Sequence, residues 1–548
     1  MEKFLTSAAL WQDFDPEAEP LETNLLNTVE EDGLITHTVY FTGRTTEDGK
    51  TRVYGKVCQK NTKSIKPAVL IIDSYKKPVD EHELKYWAKN GFVAMAIDYA
   101  GRCTEGLCTL YPSSLNHCNG DAAQSYFYVG DNAKDSKIYD YALNSMRAIT
   151  YLLKEQKAKS VSVVTVKKGT SVGAIVLGTD KRVSRGAVVF GSLYREYPEY
   201  AYDEQDAALE LAEDELAARV NYEEKRQMWI AGIAPQSYAM QTTVPVYVVC
   251  SAVSPYVDVV STDKMYDRLN DDSRMLLLPD VMDYLPDVYT QSIVKWLNGS
   301  GVSDNATLAD FVDDSGNYCI RVDGIDTNAK LELWYCRNAE SRARNWVQAP
   351  LVKTDNGYVA KLDVYSANCK IAAFALIHGA VDVTTELCEI DVVGAKNLKT
   401  PIRSVYSGVN KDRMIAVGKS QSWHGDKLQV EYCKGYLDIE GAKGVGLATF
   451  AMNDPCVNGV DTFTISFDVC CKVPQTLRVY ATCDFGETND TYSQSVQLHG
   501  DGKWQRVTMD YSNIHSTVDA HQMSDDEHVQ VLYFVADDEF IVNNIFLV

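Results

Sequence analysis

The sequence predicts a multidomain protein: a mostly parallel α/β domain with helices on both faces, followed by two β-rich units. Three observations carry this. At 548 residues the chain is too long for a single hydrophobic core. From about residue 35 to 298, short apolar runs alternate with stretches of helical spacing, as in a sheet covered by helices. Beyond residue 301 helical periodicity nearly vanishes, and alternating or apolar runs between turn residues replace it.

In the first domain, residues 35–301, six runs read as strands: AVLIID (68–73), FVAMAID (92–98), VSVVTV (161–166), GAVVF (186–190), VPVYVVC (244–250) and MLLLP (275–279). Runs this short and this apolar belong to strands buried on both faces. DEHELKYWAKNG, KIYDYALNSMRAITYLLKEQ and STDKMYDRLN lie between them with the apolar spacing of helices. The acidic run 203–220 reads as an inserted helix, either a lid or a solvated surface helix. Residues 1–34 are an N-terminal extension. Residues 302–393 form a β unit of immunoglobulin-like size, and residues 394–548 a larger one whose strands fit a jelly-roll sandwich.

Composition narrows the partners. With 53 Lys+Arg against 76 Asp+Glu, the formal charge of -23 repels phosphate backbones and anionic bilayers, so neither nucleic acid nor a membrane is expected. The first twenty residues have no apolar run of signal-peptide length, and no window approaches a membrane span. Fourteen scattered cysteines without a leader read as mostly reduced thiols, and the expected compartment is the cytoplasm. Cys103, Cys108, His117 and Cys118 form a loose Cys-x4-Cys-x8-His-Cys cluster. It lacks the paired knuckle of structural zinc sites, so ordinary loop thiols are expected, with no metal and no cofactor.

The segments VLIIDSYKK, YWAKNGFVAMAIDYAGR, VTVKKGTSVGAIVLGTDKRVSRGAVVFGS, IAGIAPQSYAMQTTVPVYVVCSA and LPDVMDYLPDVYTQSIVKWLNG, in this order, resemble the α/β-hydrolase superfamily. The likeness is strongest to its acetyl-xylan-esterase and dienelactone-hydrolase-like branch. It implies a nucleophile, an acid and a histidine in that chain order. Two registers compete for the nucleophile elbow. GTSVG (169–173) would present Ser171, but only by stretching the preceding strand through Lys167 and Lys168 and leaving barely two helical turns after it. Centring the elbow on TVKKGT gives a six-residue strand and a helix of about three turns, which favours Lys167 as the residue at the nucleophile position. The resemblance places Ser254 at the acid position and Asp283 at the histidine position. The oxyanion loop, usually glycine-rich, reads Asp73-Ser74-Tyr75-Lys76, and Lys168 joins these residues at the pocket.

No histidine occurs between His117 and His378, and His37, His82 and His117 precede the elbow. A serine hydroxyl needs an adjacent imidazole to take its proton. The expectation is therefore a hydrolase-fold protein that has lost triad catalysis and binds glycan-related or other small ligands. An active carbohydrate esterase using Ser171 or a rearranged base, drawing for instance on His378, is the alternative, and a purely structural protein the third. Trp423, Tyr432, Tyr436 and Tyr492 are the sugar-stacking candidates of the last unit, whereas Trp504 is expected in its core. The sequence does not fix an oligomeric state.

Overall fold

The computed structural model describes residues 3–548 except 63, 75–76, 102–105, 120–125, 198–214, 255–256, 282–284, 286, 303–305, 326–329, 356, 409–412, 419–428, 458–463, 486–489, 511–512 and 525–526; for 215–222 it describes the backbone alone. The chain divides into two compact units. The first comprises residues 1–250, 261–274 and 293–299, and the second comprises 251–260, 275–292 and 300–548.

The first unit is built on a mixed sheet of β1 (Asn24–Glu31), β2 (Leu34–Thr46), β3 (Gly49–Lys60), β4 (Ala68–Ile72), β5 (Val93–Ile97), β6 (Val161–Val166), β7 (Val183–Val189) and β8 (Val246–Ser251). Within this unit the spatial order is β1-β2-β3-β5-β4-β6-β7-β8. The β1–β2, β2–β3 and β3–β5 pairs are antiparallel, whereas β5–β4, β4–β6, β6–β7 and β7–β8 are parallel. Every residue of β4 is buried, as its apolar run requires of a strand covered on both faces.

Helices α1 (Ser7–Trp11), α2 (Glu81–Lys89), α3 (Lys137–Lys154) and α4 (Thr170–Thr179) belong to this unit. Asp80 caps α2 by accepting from the backbone N–H groups of His82 and Glu83, and Ser136 caps α3 through Ile138 N. Residues 137–152 of α3 are all buried. Of the acidic run 203–220, residues 203–214 lie outside the described residues, and the remainder opens a helix, Glu215–Gly232.

Residues 1–34 contribute α1 and β1. Trp11 is buried, stacks on Tyr139 with ring centroids 4.6 Å apart, and donates its indole N–H to Tyr238 Oη at 2.9 Å. The buried Arg147 of α3 donates to the carbonyls of Pro16, Glu19, Pro20 and Thr42 at 2.6–3.0 Å, which ties this segment down. Strand β1 is exposed on both faces, so it has no alternation of apolar and polar residues to reveal it in the sequence.

The second unit is made almost wholly of antiparallel sheets. One has four strands (307–312, 318–323, 357–361, 351–354) and a second has five, centred on Lys370–His378. A ten-stranded sheet follows in residues 404–547. Its 17-residue strand Val531–Leu547 pairs through its first half with Gln475–Thr482 and through its second with Thr464–Cys471 and Ser404–Tyr406. Asp537, Asp538 and Glu539 at its midpoint are exposed, and the apolar residues on either side are buried. Trp504 opens a strand but is only half-buried: it covers Gly435 and donates to Tyr436 O at 2.7 Å, so it is not a core residue. Cysteines among the described residues are free thiols, and among these residues no helix is long and apolar enough to cross a membrane.

A buried ion pair joins the early and late parts of this unit. Arg337 Nε and Nη2 each lie 2.8 Å from Asp454 carboxylate oxygens, which also accept from Asn345 Nδ2 and Cys456 N at 2.8 Å. Burial alone would raise the Asp454 pKa, but the Arg337 charge and these hydrogen bonds hold it below the usual carboxylate range. A depressed folded-state pKa stabilises the protein above the unfolded-state value, and that contribution fades as pH falls through the folded one. Asp454→Ala, which strands a buried guanidinium, is expected to cost about 3–5 kcal/mol in chemical denaturation at neutral pH, and the deficit against the parent protein should shrink on acidification.

Candidate functional site

From β4 the chain passes through α2 to β5 on one side and later returns as β6 on the other. Where consecutive strands leave the sheet in opposite directions, a crevice opens over their carboxyl ends, and ligands of open α/β sheets bind there. Asp73 and Ser74 end β4, and Lys167 ends β6.

Lys167 has φ +49°, in the left-handed region that costs a non-glycine residue about 1 kcal/mol or more. A tight turn, Lys167–Gly169, follows and runs directly into α4. Packing dictates the turn: a Cβ on Gly169 would lie 2.1 Å from Ile72 O and 2.7 Å from Asp73 O, so only glycine lets the backbone pass the end of β4. On the other side, a Cβ on Gly191 would meet Thr170 Oγ1 at 1.7 Å and Lys167 O at 2.8 Å. Thr165 and Thr170 share a hydroxyl hydrogen bond of 3.0 Å across the turn. The strand-to-helix turn thus centres on Lys167. Lys168 is exposed beside it, and Ser171, four residues on, is buried within the first turn of α4.

The electrostatics at the end of β4 are those of crowded acids. Asp73 accepts from Lys77 Nζ at 2.8 Å. Glu83 on α2 is pushed up to about 7, first by burial and then by the Asp73 charge, with Lys77 opposing. Nothing in the spacing of Asp73, Lys77 and Glu83 singled out this group in the sequence. The first turn of α2 brings it to the crevice.

The remaining candidates are dispersed. Tyr75, Lys76, Asp283 and Trp423 lie outside the described residues. Ser254 is half-buried in the second unit. His378, also in that unit, sits 3.3 Å from Glu332 and 3.7 Å from Asp382. Tyr492 is 2% exposed, with its hydroxyl bonded to Glu527 and to His521 Nε2, so its ring offers no face to a sugar. Tyr432 packs against the core of its sheet, and Tyr436 is 43% exposed.

The second unit also holds a cavity of about 290 Å³, lined by Asp258, Arg342, Arg344, Glu389, Asp484 and Gln530 around Phe485. Arg344 is fixed by donating to Ala339 O at 2.9 Å, and Gln530 Oε1 accepts from Phe485 N at 2.9 Å. Both charge signs and an amide line this cavity, whereas the Phe485 ring is itself 2% exposed and offers no stacking face. Its residues come from five separate stretches of chain, which no local motif discloses.

No family model matches this sequence, and no curated protein matches it. Among solved structures the chain is similar to an acetyl xylan esterase from Paenibacillus sp. R4, at 16% identity over 54% of this chain and 92% of that one, with a TM-score of 0.39. It is similar to acetyl xylan esterase 1 from Thermoanaerobacterium sp., at 14% identity over 54% and 94%, with a TM-score of 0.41. A Klebsiella pneumoniae protein described as a dienelactone hydrolase matches at 10% identity over 49% and 100%, with a TM-score of 0.33. At these scores the likenesses assign no activity.

Two outcomes are expected from the crevice. Lys167→Gly should leave stability unchanged or raise it by about 1 kcal/mol, because the strained φ is relieved, whereas Gly169→Ala should lower it by about 2–3 kcal/mol, both read by thermal denaturation. The raised Glu83 pKa means that the folded state holds a proton the unfolded state releases, so its contribution falls as pH rises from about 4.5 through about 7. The melting temperature of Glu83→Gln relative to the parent protein should accordingly be more favourable at alkaline than at acidic pH.

Proposed function

We propose that this protein is a hydrolase-fold, ligand-binding protein that has lost Ser-His-Asp catalysis and takes glycan-related ligands. The observation that carries the reading is the lysine at the turn between β6 and α4. An α/β-hydrolase presents its nucleophile at such a turn, strained and exposed over the sheet. Here a cation stands there, and the one serine in a Gly-x-Ser-x-Gly frame is buried in the helix that follows.

An ammonium group is no nucleophile at neutral pH unless its pKa is lowered, and an amine in place of a hydroxyl forms an amide rather than a hydrolysable ester. Lys167 acts instead as a fixed charge at the crevice, suited to a carboxylate or to the carbonyl of an acetyl group. The second unit, read as an immunoglobulin-like domain followed by a jelly roll, adds the polar cavity around Phe485 as a sugar subsite. Tyr436, beside the half-buried Trp504, adds an aromatic surface.

The test is p-nitrophenyl acetate and acetylated xylan offered to the protein, to Lys167→Ala and to Ser171→Ala, with a fluorophosphonate probe in parallel. No turnover above buffer and no labelled serine are expected. Turnover abolished by Ser171→Ala alone would make the protein an active esterase. In thermal-shift titrations acetylated xylo-oligosaccharides should raise the melting temperature, and Arg342→Ala should reduce that gain. No shift with any of them would favour a structural role.

A further inference from the structure

A second constellation in the first unit lies apart from the crevice residues and plays no part in the function proposed above. His117 and Cys118 end a short 3-10 helix (Ser113–Cys118), and Asp140 projects from the first turn of α3. Cys118 and Asp140 are fully buried, and the His117 side chain is 17% exposed. One ligand atom from each lies within 4.8 Å of the other two.

The two distances to the carboxylate match the edges of a metal polyhedron. Asp140 Oδ2 lies 3.4 Å from His117 Nε2 and 3.5 Å from Cys118 Sγ. Zinc bonds of about 2.0 Å to oxygen and nitrogen and about 2.3 Å to sulfur put the corners of a tetrahedron about 3.3 Å apart for O and N and about 3.5 Å apart for O and S. One carboxylate oxygen therefore already stands at a tetrahedral edge from both other donors.

Two further features point the same way. His117 Nε2 is buried without a hydrogen-bond partner, the contact to Asp140 lacking hydrogen-bond geometry, and such a nitrogen calls for a ligand. Arg44 Nη1 donates to both Asp140 oxygens, at 3.1 Å to Oδ1 and 3.2 Å to Oδ2, and so fixes the orientation of the carboxylate. The Arg44 guanidinium also lies over the Tyr139 ring at 5.4 Å, which steadies it when the Asp140 charge is shared with a cation. Tyr141 Oη donates to Cys118 O at 2.8 Å and fixes the backbone that carries the thiol.

We propose that His117, Cys118 and Asp140 bind a zinc ion, with the fourth corner left to water. A thiolate, an imidazole and a carboxylate suit zinc better than the all-oxygen demands of magnesium or calcium.

The full chain, stripped with chelator, dialysed and reloaded, should retain about one zinc per chain by elemental analysis. Cobalt(II) in its place should show a thiolate-to-metal charge-transfer band that is lost in Cys118→Ser. His117→Gln, altered at the exposed rim, should weaken zinc binding by about tenfold or more while its melting temperature in chelator stays that of the parent protein, which keeps the test valid if Cys118→Ser does not fold. Zinc binding that is substoichiometric in the parent, or equal in parent and His117→Gln, would overturn the site.

Discussion

The passage of the backbone at Gly169 past the last carbonyls of β4 is the contact on which the crevice depends. With the Gly169 Cα pressed against Ile72 O and Asp73 O, the chain leaving β6 has one way to turn into α4, and Lys167 absorbs the cost in its left-handed φ. The same contact fixes where α4 starts, which residue stands over the strand ends, and how deep Ser171 is buried. The small residues around it, Gly191 against Thr170 and Gly173 against Thr165, follow from that approach.

Both units bury arginines, but they satisfy them differently. Arg147 spends its donors on four backbone carbonyls, so removing it would leave acceptors in two segments, 16–20 and the end of β2, without this donor. Arg337 is matched to Asp454, lies near the Tyr335 and Tyr365 rings, and shares its carboxylate with Asn345. The first arrangement fastens the N-terminal segment to the sheet. The second ties parts of the β-rich unit more than a hundred residues apart in the chain.

Strands buried on both faces were legible in the sequence, because AVLIID, VSVVTV and VPVYVVC have no alternative use for so many consecutive apolar side chains. Helices α2 and α3 were legible from their apolar spacing, and the structure adds the Asp80 and Ser136 caps. The lengths of β6 and α4 also centred the turn on TVKKGT. What the sequence hid was long-range. Spacing grouped His117 and Cys118 with Cys108 and with Cys103, which lies outside the described residues; the fold also sets them against Asp140, more than twenty residues later on a helix. No motif marks Glu83 in the sequence, and only the fold brings it under the influence of Asp73. Trp504 misled because a strand's first residue can cover an edge as well as fill a core.

The 17-residue strand Val531–Leu547 follows in the chain every strand it pairs with. During synthesis those earlier strands, with their apolar faces and open edges, must wait for it. Hairpins such as Gln475–Thr482 with Thr491–Leu498 can form as they emerge, but the ten-stranded sheet is joined only when this strand is made, and its edges stay open to misassociation until then.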